Sequence, residues 1–325
     1  MEEKVVDLDL KDKKLLYELD FNARATYSFL AKKVGLSKQG VEYRINSLIK
    51  KGVIKGFYPI IDVPKLGYIY CRLSVTLQNT TKEKKKEIID YLIKHPKVFW
   101  LFDMQGEFDL FFAVWAKSLT EFKDFIEEFE DKFGSHIKNI IENIATDLSH
   151  FQHRYLLNKT ETKVVHVSET SERVDIDSID KEILILLCKD ARISLVDIAE
   201  HVNESAKVVA YRIKRMEKKG LIKGYRPIIN NSILGYTYYK LFINLNKISK
   251  DSVQRLKNYI KNSPLVIYII DGIALNGDLD IEIMVKSNQE LFNFIEDLRF
   301  KFPELVGEYQ SVVFLNTLKV RYLPF

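Results

Sequence analysis

Two kinds of hydrophobic spacing alternate along this 325-residue chain. From Asp9 to about Phe21, apolar residues recur every three to four positions (Leu10, Leu15, Leu16, Leu19), which predicts a helix with Asp9 as its cap. A short helix starts at Thr26, runs through Phe29, Leu30 and Val34, and ends at Gly35. A third helix is bounded by Ser37 and Gly52 and places Val41, Ile45, Leu48 and Ile49 on one apolar face. The spacing then changes. V-I-K-G-F-Y-P-I-I-D reads as a strand broken by Gly56, in the position of a β-wing. Ile69, Cys71, Leu73, Val75 and Leu77 alternate with Tyr70, Arg72, Ser74, Thr76 and Gln78, which predicts a half-buried strand. A helix over 81–94 with Ile88, Leu92 and Ile93 inward follows. Strands near 97–104 and 107–116, a helix from Ser118 to Phe133 and a strand from Ile137 to Leu148 complete a βαββαβ order.

The whole pattern then repeats. Shifted by 168 positions, residues 7–67 match 175–235 at 26 of 61 positions without a gap. Arg154-Tyr155-Leu156 is answered by Arg321-Tyr322-Leu323. A module of about 155 residues is therefore duplicated. The fold class expected is α+β, in two copies of a winged helix-turn-helix followed by a ferredoxin-like βαββαβ domain. The boundaries are 1–62, 63–157, a Thr/Ser/Glu/Lys-rich linker at 158–173, 174–230 and 231–325. Val164, Val165 and Val167 give the linker a short edge strand as an alternative.

The third helix of each copy carries the candidate chemistry. Opposite its apolar face lie Gln39, Tyr43, Asn46 and Lys50, and in the second copy Lys207, Tyr211, Lys214 and Lys218. A short helix with an apolar back and a basic, hydrogen-bonding front suits the major groove of DNA. Ser37 with Lys38, and Ser205, stand at the helix starts. Arg44 and Arg212 lie on the flank, placed for phosphate or for a neighbouring acid, and Arg215 is a further candidate DNA contact. Lys55 and Lys223 sit on the wings, in reach of the DNA backbone.

Charge sharpens this reading. The chain carries a net +5. Residues 37–58 alone sum to +4 and residues 205–226 to +7, so the remainder is acidic. Positive charge gathered on two helix-plus-wing stretches is the footprint of phosphate contact. A solvated, lysine-rich helix face is the plainer alternative. Two distant cysteines, Cys71 and Cys188, form neither a disulfide framework nor a zinc site, and a reducing, cytoplasmic compartment is expected. No apolar run of about 20 residues predicts a membrane span. No phosphate loop or hydrolase motif is present, and neither an enzyme activity, a cofactor nor a metal is expected. His150, His153 and Arg154 are the closest thing to a histidine cluster.

Several stretches together resemble the Lrp/AsnC family of transcription regulators. These are D-x-x-D-K-x-L-L at Asp9–Leu16, N-A-R at Asn22–Arg24 and D-A-R at Asp190–Arg192, Y-R-I in both recognition helices, and V-I-K-G with P-I-I in the hinge. The resemblance covers nearly the whole chain twice. It implies double-stranded DNA as partner and a small effector such as an amino acid. It also implies a pseudo-dimer within one chain, with homo-dimers or higher oligomers open to it. In the family the effector sits near a Gly-x-x-Asp turn, which falls here on Gly106 with Asp109 and on Gly277 with Asp280; a tight turn with a solvated acid is the alternative. Unequal recognition faces imply an asymmetric DNA site. Relatives of the same architecture include sirohaem decarboxylases, which keeps a tetrapyrrole-binding enzyme as a second reading; a scaffold recruiting other proteins is a third.

Overall fold

In the first copy, helices α1 (Leu10–Leu19), α2 (Tyr27–Val34) and α3 (Lys38–Lys50) form the helix-turn-helix. Asp9, Thr26 and Ser37 each accept the backbone N–H three residues on, so each helix starts where its cap side chain stands. Strands β1 (Ile54–Ile61) and β2 (Ile69–Leu77), helix α4 (Lys82–Lys94), strands β3 (Val98–Gln105) and β4 (Leu110–Ala116), helix α5 (Leu119–Phe133) and strands β5 (Ile137–Phe151) and β6 (Val164–Ser168) follow. The second copy comprises α6 (Ser178–Lys189), α7 (Leu195–His201), α8 (Ala206–Lys218), β7 (Ile222–Ile229), β8 (Thr237–Leu245), α9 (Lys250–Asn262), β9 (Val266–Ile273), β10 (Leu279–Val285), α10 (Asn288–Lys301) and β11 (Val306–Val320). This computed structural model describes residues 5–161, 163–168, 172–246 and 249–325; parts of the segment read as a linker lie outside them. Among the described residues no helix is long and apolar enough to cross a membrane.

The expected β-wings are not hairpins. β1 pairs antiparallel with β7, with Tyr58 opposite Arg226 and Phe57 opposite Pro227. Among the described residues neither strand has a return strand of its own, because β1 runs into a 3-10 turn at Val63–Leu66 and β7 into one at Ser232–Leu234. Each therefore satisfies its backbone on the other. The N-terminal straps cross in the same way. Val6 N–H donates to Ile233 O (2.7 Å), and Val174 N–H to Lys65 O (2.8 Å).

The two βαββαβ units close on each other. Strand order is β2-β4-β3-β11-β8-β10-β9-β5, and β5 also pairs with β2, so eight strands form a closed sheet. β5 leaves its own sheet to pair with β9, and β11 does the same with β3. β6, inside the stretch read as linker, extends β5 as an edge strand. Helices α4 and α5 cover one outer face over Cys71, Leu73, Val75 and Phe112, and α9 and α10 cover the other over Leu241, Ile243 and Ile281.

This closure corrects the half-buried reading of β2. Arg72 and Ser74, on its polar side, are only 1% exposed, because the second copy's sheet covers that side. Inside, Arg72 pairs with Asp280 (2.8 Å) and Asn143 (2.6 Å), while Lys240 pairs with Asp280 (2.6 Å) and Glu282 (2.9 Å). Arg72 and Lys240 are mates across the pseudo-twofold, yet both acids come from the second copy. Leu10, Ile49 and Ile93, expected on the apolar faces, are instead exposed, while Leu15, Leu48 and Leu92 of the same helices are buried.

Candidate nucleic-acid interface

Both third helices present the front predicted for them. Gln39, Tyr43, Asn46 and Lys50 on α3 are exposed, as are Lys207, Tyr211, Lys214 and Lys218 on α8. Tyr43 and Tyr211 are 75% and 68% exposed at the same position. Val41, Ile45 and Leu48 are buried behind the first front, and Val209, Ile213 and Met216 behind the second. Ser37 and Ser205 serve as N-caps, with their hydroxyls accepting Gly40 N–H (3.0 Å) and Val208 N–H (3.2 Å). Lys38 and Lys55 are exposed beside them.

Four of the basic side chains assigned to DNA are engaged elsewhere. Arg44 Nη1 binds Asp9 and Asp12, both at 2.7 Å. Arg212 makes the matching pair with Asp177 (2.7 Å) and Asp180 (3.1 Å), and Arg215 also binds Asp180. The acids at the start of the first helix of each unit thus clamp its third helix, and they hold the guanidinium at the helix flank. Their carboxyls gain in turn: backbone N–H groups and then the arginine hold Asp9 and Asp177 below the usual carboxylate range. Lys223 pairs with the buried Asp62 just after β1 (3.1 Å), since β7 lies against β1 rather than projecting as a wing.

This changes the charge picture. Arg212, Arg215, Lys223 and Arg226 of the second copy all pair with acids lying outside residues 205–226. That leaves Lys207, Lys214, Lys218 and Lys219 there, against Lys38, Lys50, Lys51 and Lys55 in the first copy, without an ion pair among the described residues. The apparent excess of the second copy disappears once its partners are counted.

Sequence reasoning missed what locks the two units together. Arg24 Nη1 donates to Ala191 O (2.5 Å) and Ile193 O (3.0 Å), and Arg192 Nη1 donates back to Ala23 O. Ala23 N–H reaches Tyr225 O, and Ala191 N–H reaches Phe57 O, both at 3.0 Å. The N-A-R and D-A-R triplets are thus a reciprocal clasp, and their repetition 168 residues apart was the only signal of it. Beneath the clasp, Arg226 is fully buried against Asp20 (2.6 and 3.0 Å), Phe151 O (3.0 Å) and the Tyr268 hydroxyl (3.1 Å).

His150, His153 and Arg154 lie at this same joint, on β5 and just after it. Arg226 faces Nδ1 of His150, and the Asp20 carboxylate accepts His153 N–H (2.7 Å). Burial drives both rings toward the neutral form, His153 to about 4. Arg154 is buried, donating to Thr160 O (2.8 Å). Burial lowers it to about 10.

The turns assigned to an effector are not equivalent. Asp109 accepts Leu77 N–H (2.7 Å), and in the second copy Asp278, not Asp280, does the same for Leu245 N–H (2.6 Å). Asp280 is the counterpart of Phe111 and lies inside the closed sheet with Arg72 and Lys240. The Gly-x-x-Asp pattern falls two residues late in the second copy: β10 stands 169 positions after β4, so Asp278 answers Asp109, and Gly277 answers Phe108 rather than Gly106. Gly106 sits at φ 135° against Val312, and Gly277 against the Ile243 backbone, borders an open polar groove with Asn244 and Gln310.

The winged helix-turn-helix DNA-binding family matches twice, at residues 8–55 and 176–223. An uncharacterized HTH-type transcriptional regulator of Pyrococcus horikoshii is 33% identical over 144 residues, which cover 44% of this chain and 89% of that protein. The HTH-type transcriptional regulator LrpA of the same organism is 31% identical over 119 residues, covering 37% of this chain and 83% of that protein. Such relatives correspond to one copy. A solved structure, the siroheme decarboxylase NirDL, resembles the chain over 96% of its length and 93% of its own, with TM-score 0.64 and 14% identity; at that identity the likeness is one of fold. With its two matched helix-turn-helix units, its doubled architecture and regulator relatives matched over most of their length, this chain belongs to the Lrp/AsnC family of transcription regulators.

Proposed function

We propose that the chain binds double-stranded DNA sequence-specifically as an intramolecular pseudo-dimer, with α3 and α8 reading two non-identical half-sites. The observation that carries this reading is the pair of exposed, differing fronts, Gln39/Tyr43/Asn46/Lys50 and Lys207/Tyr211/Lys214/Lys218, held by one clasp. Gln39 and Asn46 can pair with adenine, whereas lysines favour guanine or phosphate and discriminate less. The first half-site then sets sequence preference and the second adds affinity. Selection of binding sites from random duplexes tests this: an asymmetric consensus is expected, and a perfect palindrome would overturn it. A small effector such as an amino acid is part of the reading, with Gly106, Asp109 and Gly277 at the turns. Asp280 no longer belongs there. Two helix-turn-helix units in one chain need no second chain, and association into homo-dimers or larger assemblies is an addition to the reading that sedimentation decides.

The tetrapyrrole reading rests on the shared fold with the siroheme decarboxylase and on His150 and His153 at the joint. The cavity beside His150 encloses about 70 Å³, well below the roughly 300 Å³ and more of ligand pockets for drug-sized molecules. Titration with haem, followed by absorbance, discriminates: a saturable Soret shift would favour that reading over ours.

A further inference from the structure

The two recognition fronts differ in their hydrogen-bonding groups and agree elsewhere. Gln39 is answered by Lys207 and Asn46 by Lys214, so those positions offer different chemistry to a base edge. Lys50 is answered by Lys218, a charge suited to phosphate. The remaining position holds tyrosine in both copies, Tyr43 and Tyr211.

Both tyrosines stand in the middle of their fronts. Gln39 lies four residues before Tyr43 and Asn46 three after it, so all three share one face; Lys207 and Lys214 flank Tyr211 in the same way. Of the chain's 17 tyrosines these two are the most exposed, at 75% and 68%, and the next is Tyr309 at 39%. Neither forms a hydrogen bond or a ring pair among the described residues. The helices beneath them are fixed. Val41 and Ile45 are buried behind Tyr43, and Val209 and Ile213 behind Tyr211. The next residue along each helix, Arg44 or Arg212, is tied to the acids at the start of the unit. Each ring therefore projects from an anchored helix.

A phenol ring is a poor reader of hydrogen-bonding base edges. Its single hydroxyl cannot form the bidentate pairs by which Arg, Gln or Asn distinguish guanine or adenine. What the ring can reward is apolar contact, and in the major groove the bases offer that at the thymine methyl. Tyrosine's shape suits the task, since the ring can lose its water against the methyl while the hydroxyl at its tip stays wet.

We propose that Tyr43 and Tyr211 are specificity-determining residues, each packing on the methyl of one thymine in the major groove. The two thymines lie on opposite strands at equal distances from the centre of the site, because the two helices are mates across the pseudo-twofold. The site is then symmetric at this base and asymmetric around it. This assignment rests on the reading of the chain as a sequence-specific DNA-binding protein.

The test uses the full chain and the best duplex returned by site selection. Thymines are replaced one at a time by deoxyuridine, which pairs alike and lacks only the methyl, and affinity is read by anisotropy. One thymine in each half-site should matter, each replacement weakening binding about fourfold. Tyr43→Ala should abolish one of these two losses and leave the other, and Tyr211→Ala the reverse. Tyr43→Phe and Tyr211→Phe, which keep the ring, should preserve both. All four substitutions fall on exposed helix positions and leave the core untouched. Specific binding with no sensitive thymine, a loss that persists in both alanine variants, or a methyl effect tied to one tyrosine only would each overturn the assignment while leaving the DNA reading in place. A chain that shows no preference among duplexes would overturn both.

Discussion

Replacing Lys207 and Lys218 together with alanine should flatten the salt dependence of DNA binding by a predictable amount. Both are exposed on the front of α8 and form no ion pair among the described residues, so each is available to displace a counterion from phosphate. Each phosphate neutralised contributes about −0.9 to the slope of log K against log salt. Losing two changes the slope by about 1.8. Over a fourfold rise in salt, from roughly 50 to 200 mM, the wild type should then weaken about twelvefold more than the variant. The loss should be similar for all sequences, because lysines at phosphate carry little base information. The control is a pair already neutral in the fold. Lys223→Met with Asp62→Asn removes one positive and one negative charge that sit 3.1 Å apart, and should leave the slope unchanged within about 0.5. The assay is fluorescence anisotropy of labelled duplexes across a salt series. An unchanged slope for the double lysine variant, or an equal flattening by the control, would refute the argument that ion pairing decides which cations reach DNA.

The clasp gives a second test. Arg24→Ala with Arg192→Ala should weaken binding to a duplex carrying both half-sites by about tenfold or more while leaving binding to one half-site nearly unchanged, since only the former needs fixed spacing. Arg226→Ala strands the buried Asp20 carboxylate and should cost about 3–5 kcal/mol in urea unfolding, far more than Arg226→Ala paired with Asp20→Ala. Acid should act through the histidines. His153 is neutral in the fold down to about pH 4 but titrates near 6.5 when unfolded, so the unfolded chain binds more protons between those values. Stability is then full above about 6.5 and falls as pH drops toward 4, by up to about 3 kcal/mol, with His150 adding in the same direction. His153→Gln should reduce that fall in pH-dependent thermal unfolding; an unchanged profile would show that the ring is not buried neutral.

Local pattern went far with this chain. Caps at Asp9, Thr26 and Ser37, apolar spacing along each third helix and the period-two runs of the sheets define helices and strands, because each depends on neighbours within a few residues. The duplication and the exposed polar fronts of the third helices were legible for the same reason. The partners of charged groups were not. Arg44 and Asp9 lie 35 positions apart, Arg226 and Asp20 lie 206 apart, and no spacing rule connects them. Nor could alternation along β2 tell that its polar side would be closed over by a second sheet, which turned Arg72 from a surface residue into part of a buried network with Asp280 and Lys240. A strand's own residues say that it has two faces. What covers the second face, which strand its free edge finds, and whether a lysine meets water or a buried acid are settled only when distant segments pack, since burial and Coulomb energy depend on position in space rather than along the chain.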